Sequence, residues 1–277
     1  MQIVGSPAEM ATVADEARRE RKTIAFVPTM GALHAGHSSL LEEARRRGQL
    51  SVLSIFVNPT QFGPKEDLSR YPRTPEIDEG RARDAGVDVI YRPTADAMYP
   101  PGYQTSITVA ELEQPMEGAH RPGHFRGVAT VVCKLFAAVK PHVAFFGNKD
   151  YQQLQIIRRM TRDLDLGVEI VGMPIVREPD GLAMSSRNAY LSAADRENAL
   201  SLSRGLRAVE SLYRGGERDA AKLVAAARAE LAPVTIEYVE LCDVTTLAPL
   251  SRVEGSAVLA IAARVGTTRL IDNVVLT

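Results

Sequence analysis

The feature that most constrains this chain is a rhythm in its first two thirds. Short apolar runs rich in β-branched residues recur at residues 23–28, 51–57, 87–91, 142–146 and 168–171. Helix-length segments separate them, with helices expected at about 36–47, from Thr74-Pro75-Glu76 to 85, at 128–139 and at 151–161. Strands joined by such crossovers pair in parallel, and a parallel sheet needs helices on both faces to bury it. The crossovers are expected to be right-handed. Near the start, Ser6-Pro7-Ala8-Glu9 reads as a capping box with proline in the first helical turn.

The rhythm stops after residue 176. Two helices are expected at 193–213 and 218–231, separated by Gly215-Gly216, and strands at 235–244, 257–265 and 269–276 follow without alternation. Helices followed by strands predict a small α+β domain with an antiparallel sheet. The expected division is therefore 1–176 and 177–277, in the turn-rich Arg177-Glu178-Pro179-Asp180-Gly181. A length of 277 residues accommodates two domains with cores of their own.

Composition removes several classes of function. Lysine and arginine number 33 against 34 acidic residues, giving a formal charge of −1. That balance lacks the basic excess of a general nucleic-acid binder, so no nucleic-acid partner is expected. The two cysteines, Cys133 and Cys242, lie in apolar runs and read as buried, reduced thiols. The first twenty residues carry Glu9, Asp15, Glu16 and Glu20, unlike a secretory signal. No apolar run approaches the roughly 18 residues of a membrane span. A soluble cytoplasmic protein with no membrane partner is the expectation.

Chemistry concentrates in Val27-Pro28-Thr29-Met30-Gly31-Ala32-Leu33-His34-Ala35-Gly36-His37-Ser38. A strand ends, a glycine turn follows and a helix begins, which is where ligands bind at the carboxyl edge of an open parallel sheet. Free amides at a helix start favour phosphates. Gly31 to Ser38 has the spacing of a P-loop, but His37 stands where that loop needs lysine. His34 and His37 are three residues apart and can face one bound group, where donors would stabilise charge developing on an α-phosphate. Zinc binding and simple helix capping are the alternatives. No cysteine lies near, and only His120, His124 and His142 remain as further histidine ligands.

His34-Ala35-Gly36-His37 resembles the H-x-G-H signature of a nucleotidyltransferase superfamily. Longer segments narrow the resemblance: Phe56-Val57-Asn58-Pro59-Thr60-Gln61-Phe62-Gly63, Glu66-Asp67-Leu68, Tyr71-Pro72-Arg73-Thr74, Phe145-Phe146-Gly147-Asn148-Lys149-Asp150-Tyr151-Gln152-Gln153 and Arg177-Glu178-Pro179-Asp180-Gly181-Leu182-Ala183-Met184-Ser185-Ser186-Arg187-Asn188. In this order they are similar to the pantoate–β-alanine ligase (pantothenate synthetase) family over nearly the whole chain. The resemblance implies a Rossmann-like first domain and a smaller C-terminal lid. It also implies condensation of pantoate with β-alanine through a pantoyl-adenylate, with ATP as substrate, Mg2+ as its counter-ion, and a homodimer.

By that resemblance His34, His37 and Lys149 are catalytic. Met30, Gly31, Ala32, Leu33, Ala35, Gly36, Gly147, Asn148, Asp150, Val176, Met184, Ser185, Ser186 and Arg187 complete the expected ATP contacts. Lys149 is the cation for the α-phosphate, and Asp150 meets the ribose, a role compatible with its capping the helix after it. Gln61 and Gln153 are candidate pantoate ligands, because an amide offers both donor and acceptor; Asn58 either assists them or simply caps its turn before Pro59. Val131 and Val132 would wall the gem-dimethyl group, or simply pack their helix. Ser185, Ser186 and Arg187 would hold the β- and γ-phosphates. Asp78 is the candidate magnesium ligand among Glu76, Asp78 and Glu79, against the reading of a solvated acidic helix face. The basic run from His120 to Arg126 receives no catalytic role. Two rivals stay open: an H-x-G-H enzyme that leaves AMP on a phosphorylated acceptor, and a non-catalytic nucleotide-binding module.

Overall fold

A computed structural model describes residues 1–64 and 66–277, and the chain divides into two compact units. The first comprises residues 1–113, 121–148 and 153–174, and the second residues 114–120, 149–152 and 175–277.

The first unit is built on six strands: β1 (Gln2–Val4), β2 (Ile24–Thr29), β3 (Leu50–Ile55), β4 (Val89–Tyr91), β5 (Val143–Gly147) and β6 (Glu169–Met173). Their order is β1-β4-β3-β2-β5-β6 and every pairing is parallel. Its helices are α1 (Pro7–Arg19), α2 (Ala35–Arg47), α3 (Pro75–Asp84), the single turn α4 (Ala95–Met98), α6 (His124–Val139) and most of α7 (Tyr151–Asp163). The capping box at Ser6 and Glu9 is present.

Alternation along β2 places helices on both faces, as period-two side chains require. Ala25 and Val27 enter one core with Leu40, Leu41 and Ala44 of α2 and Ala82 of α3. Phe26, between them, meets Phe136 of α6 edge-on at 6.2 Å. The three-residue β1 at the sheet edge has no signal in the sequence; its burial pattern is exposed, exposed, buried.

The second unit carries α8 (Ala193–Arg214), α9 (Ala220–Glu230) and an antiparallel sheet of β7 (Thr235–Asp243), β8 (Ala257–Val265) and β9 (Thr268–Leu276), in that order. Leu202, Leu206 and Val209 of α8 and Leu223 and Ala227 of α9 pack on Leu259, Ile261 and Ala263 of β8. The helix expected from 218 begins at Ala220, because Asp219 is its cap and accepts the Lys222 amide at 3.0 Å.

The division between units is not a single cut. The short helix α5 (Glu117–His120) and residues 149–152 belong with the C-terminal sheet. Arg269 of β9 grips Glu117 with two bonds of 2.6 and 2.7 Å, and the Tyr238 hydroxyl donates to the same carboxylate at 2.8 Å. The Glu117 amide donates to Gln152 Oε1 at 3.0 Å, and Gln152 Nε2 donates to Pro115 O at 2.8 Å. Glu117 and Gln152 are both buried. Burial and the Glu117 charge push the Tyr238 phenol well above its usual range.

Candidate active site

The strand order reverses direction between β2 and β5. From β2 the chain moves through β3 to β4, and from β5 it moves the other way to β6. The crevice outside the carboxyl ends at such a reversal is where open α/β sheets bind ligands. The turn from Met30 to His34 leaves the end of β2, and Gly147 ends β5 just before Asn148.

The two histidines cap α2 reciprocally. His34 Nδ1 accepts the Gly36 amide at 3.2 Å, and His37 Nδ1 accepts the His34 amide at 3.2 Å. A backbone N–H can only donate, so neither Nδ1 carries a proton. Both rings are then neutral Nε2–H tautomers. The rings lie 4.1 Å apart between centroids, tilted by 40°. Capping uses Nδ1 as the acceptor and puts each ring's proton on Nε2, so a capping role and a donor role are compatible.

The turn itself is held by Asp78 of α3. Gly31 and Ala32 adopt left-handed conformations, φ +85° and +50°. At Gly31 a Cβ would sit 3.0 Å from Asp78 Oδ2 and 3.1 Å from Ile55 Cγ2, so only glycine fits. The amides of Ala32 and Leu33 donate to the two oxygens of Asp78 at 3.0 and 2.8 Å, and Thr74 Oγ1 donates at 3.2 Å. The Gly31 amide donates to Thr29 Oγ1 at 3.2 Å, and Arg81 donates to the Leu33 carbonyl.

Two expectations change here. Asp78 is 1% exposed and both its oxygens are occupied, so it is a turn anchor and does not fit a magnesium ligand. The amides at residues 31, 32, 33, 34 and 36 already have acceptors inside the protein, so they are not the free phosphate donors that a bare helix start would offer. Among the described residues no group of three or more His, Cys, Asp or Glu is arranged to hold a metal ion.

Gln61 lies in a short 3-10 turn, Pro59–Gln61, after β3. Asn58 is 1% exposed and its amide is fully committed. Nδ2 donates to Gln61 Oε1 at 3.0 Å and to Gly127 O at 3.2 Å, while Oδ1 accepts from the Thr60 amide, Thr60 Oγ1 and Tyr99 Oη. The expectation that Asn58 touches pantoate directly is thereby corrected, since no donor is left over. The Gln61 carbonyl receives His124 Nδ1 at 2.8 Å, and Arg121 contacts His124 Nε2 at 3.1 Å. A carbonyl accepts and a guanidinium donates, so the His124 proton sits on Nδ1. Gly127 lets α6 touch this turn, because a Cβ there would be 2.4 Å from Thr60 O. Val131 and Val132 on α6 are both 5% exposed.

The second unit holds the other expected ATP contacts. Asn273 of β9 donates through Nδ2 to the Lys149 carbonyl at 2.8 Å. Its neighbour Asp272, 3% exposed, pairs with Arg177 through bonds of 2.6 and 3.0 Å. Arg177 opens a hairpin in which Met184 N donates to Val176 O at 3.0 Å, so the Val176 carbonyl already serves the fold. Ser185 Oγ accepts the Arg187 amide at 3.2 Å and keeps its O–H to donate. Adjacent residues of β9 thus hold Lys149 and the segment that leads to Ser185, Ser186 and Arg187.

Neither thiol is poised for chemistry. Burial pushes the Cys242 thiol up to about 12. Cys133 is half-buried, not buried as expected, and burial raises its pKa also despite Lys134.

Residues 2–275 match the sequence profile of the family described as pantoate-beta-alanine ligase. The chain belongs to that family. A pantothenate synthetase from Pelobacter propionicus is 56% identical over 100% of this chain and 98% of its own. One from Myxococcus xanthus is 57% identical over 97% and 96%. Among solved structures, pantothenate synthetase from Thermus thermophilus is 46% identical with a TM-score of 0.94, covering 99% of both chains. The pantoate-beta-alanine ligase of Francisella tularensis, 32% identical with a TM-score of 0.82 over 99% and 97%, is complexed with β,γ-ATP and β-alanine. The chain is accordingly a ligase, and the resemblance read from the motifs agrees with the match.

Within this ligase the expected residues fall in two sets. Met30 to His37, Gly147, Asn148, Asn58, Gln61, Val131, Val132, Gln153 and Asp78 lie in the first unit. Lys149, Asp150, Val176, Met184, Ser185, Ser186 and Arg187 lie in the second. Thr29, Tyr99, Gly127, Asp272 and Asn273 were not singled out from sequence. Only Gly127 carried a visible signal, a glycine inside a helical run. No helix among the described residues is long and apolar enough to cross a membrane.

Proposed function

We propose that this ligase condenses pantoate with β-alanine at the expense of ATP, through a pantoyl-adenylate. The observation that carries the reading is the pair of Nε2–H imidazoles fixed at the carboxyl edge of β2. They are donors that need no deprotonation and undergo no reorganisation when charge develops, which is how preorganised electrostatic catalysis works.

Pantoate is a carboxylate at neutral pH and needs no base for the first step. Its oxygen attacks the α-phosphorus of ATP. A new O–P bond forms, the bond to the bridging oxygen of the β-phosphate breaks, and pyrophosphate leaves. The Nε2–H groups of His34 and His37 and the ammonium of Lys149 stabilise the oxygens that gain charge. Ser185, Ser186 and Arg187 hold the departing phosphates, and Asp150 the ribose. In the second step the β-alanine nitrogen attacks the acyl carbon. The C–N bond forms, the C–O bond breaks so that AMP leaves with the bonding pair, and the nitrogen releases one proton to water. Gln61 and Gln153 hold pantoate, and Val131 and Val132 wall its methyl groups. Rate then comes from alignment and charge stabilisation, without a covalent enzyme nucleophile.

Magnesium in this reading travels with the ATP phosphates and their waters, which is its usual mode of binding. A homodimer in the cytoplasm is part of the same proposal and rests on the family resemblance alone.

The test is exchange of labelled pyrophosphate into ATP without β-alanine. Exchange should depend on pantoate in the parent and vanish in a folded Lys149→Ala variant. Exchange equally fast without pantoate would reject the proposal, and wild-type exchange in the variant would reject the role of Lys149.

A further inference from the structure

The orientation of the Gln61 side-chain amide is set by the groups gathered around Asn58. An amide side chain can present either its oxygen or its NH2, and the two ends look alike unless their partners decide. At Asn58 the backbone decides. The Thr60 N–H can only donate, and at 3.3 Å it faces Oδ1. The Gly127 carbonyl can only accept, and at 3.2 Å it faces Nδ2. The atom of Gln61 that lies 3.0 Å from Asn58 Nδ2 must then be its oxygen. Its nitrogen points away, toward the weak acceptor Met30 Sδ at 3.3 Å.

Tyr99 locks this polarity. Its hydroxyl donates to Asn58 Oδ1 at 2.8 Å, the shortest bond that Asn58 makes. With the Thr60 amide and hydroxyl, it makes three donors at one oxygen, so a flipped Asn58 would meet three donors with an NH2. The ring is held independently by Phe56 and Tyr103, with centroids 6.4 and 5.1 Å away. Removing the hydroxyl alone therefore leaves the aromatic packing in place.

We propose that Tyr99 and Asn58 are positioning residues that fix Gln61 as a hydrogen-bond donor to the substrate, so the site selects an acid whose oxygen lone pair meets Gln61 Nε2. The inference rests on the reading of Gln61 as a pantoate ligand. It gives the site a polarity: a hydroxy acid that places an acceptor oxygen there binds, and an analogue with a donor or a methylene there does not.

The experiment is pyrophosphate exchange with pantoate and ATP varied separately. Tyr99→Phe should raise the KM for pantoate about fivefold, the worth of one hydrogen bond, with the KM for ATP and kcat unchanged. Asn58→Asp has no N–H to offer Gln61, so the amide must turn its nitrogen inward and show its oxygen to the substrate. That variant should raise the KM for pantoate more than tenfold. A Tyr99→Phe enzyme with the parental KM for pantoate overturns the inference, as does an equal rise in the KM for ATP, which mere loosening would cause. If Asn58→Asp does not fold, Tyr99→Phe decides. Absence of pantoate-dependent exchange in the parent would instead sink the underlying role of Gln61.

Discussion

Asp78→Asn separates a turn anchor from a metal ligand in one substitution. The change is isosteric and removes one charge. Two effects oppose each other. Losing a buried carboxylate relieves the desolvation of an ion. Against that, two backbone amides face its two oxygens at 3.0 and 2.8 Å, and an asparagine can accept only one of them. The other N–H then confronts an NH2 group. A charge-assisted hydrogen bond is worth roughly 1.5–3 kcal/mol, and a buried unsatisfied donor costs about 1–3 kcal/mol more. The loss should win, by about 3 kcal/mol. For a unit of this size that lowers Tm by roughly 6–12 °C. The same displacement moves the turn that carries His34, and a misplacement near 1 Å can reduce the rate about a hundredfold. Thermal unfolding and a magnesium titration of residual activity test both halves. The expected result is a less stable, slower enzyme with the parental magnesium requirement. A variant with unchanged Tm and a raised magnesium requirement would refute the anchoring role.

Three further outcomes follow from the same geometry. Gly127→Ala should place a methyl group 2.4 Å from Thr60 O, displacing the Gln61 turn and raising the KM for pantoate at least tenfold, read in the exchange assay. For Glu66, burial would raise the carboxyl, but the two bonds from Arg121 at 2.7 and 2.8 Å and the Arg121 charge hold it below its usual 4.5. The stability this pair adds is therefore complete above about pH 4.5 and fades as pH falls through the lowered value. Glu66→Gln should lie about 1 kcal/mol below the parent at pH 7 and converge with it as the pH falls through that lowered value, measured by urea midpoints. Asn273→Leu removes the donor to the Lys149 carbonyl at nearly constant volume. It should lower kcat for exchange about tenfold with the KM for pantoate unchanged, whereas a purely structural role would shift Tm and leave kcat alone.

Much of this was legible in the sequence. Strand runs and crossover lengths placed five of six parallel strands to within two residues at each end; the run Ser51–Val57, for example, ends at Ile55. The run at 257–265 matched β8 to the residue. β1 was missed because three edge residues carry no periodicity. His34, His37 and their turn stood out because glycine and histidine there break the ordinary helix-start pattern. What sequence could not reach were partners brought from afar. Asp78 reads as one of several acids on a helix face, and only folding shows that it reaches back 45 and 46 residues to the Leu33 and Ala32 amides. Asn58 looked like a ligand because its side chain suits one, and five hydrogen bonds converging on it changed that assignment. Tyr99 and Asn273 are single polar residues whose role exists only through the groups they meet.

The adenylate route is tested most directly with pantoate labelled with 18O in its carboxylate. Attack of that carboxylate on the α-phosphorus, followed by attack of β-alanine on the acyl carbon, leaves one labelled oxygen in AMP and the other in the new amide carbonyl. Mass spectrometry should find one 18O in each AMP released and none in pyrophosphate. Unlabelled AMP, or label in inorganic phosphate released with ADP, would contradict the account.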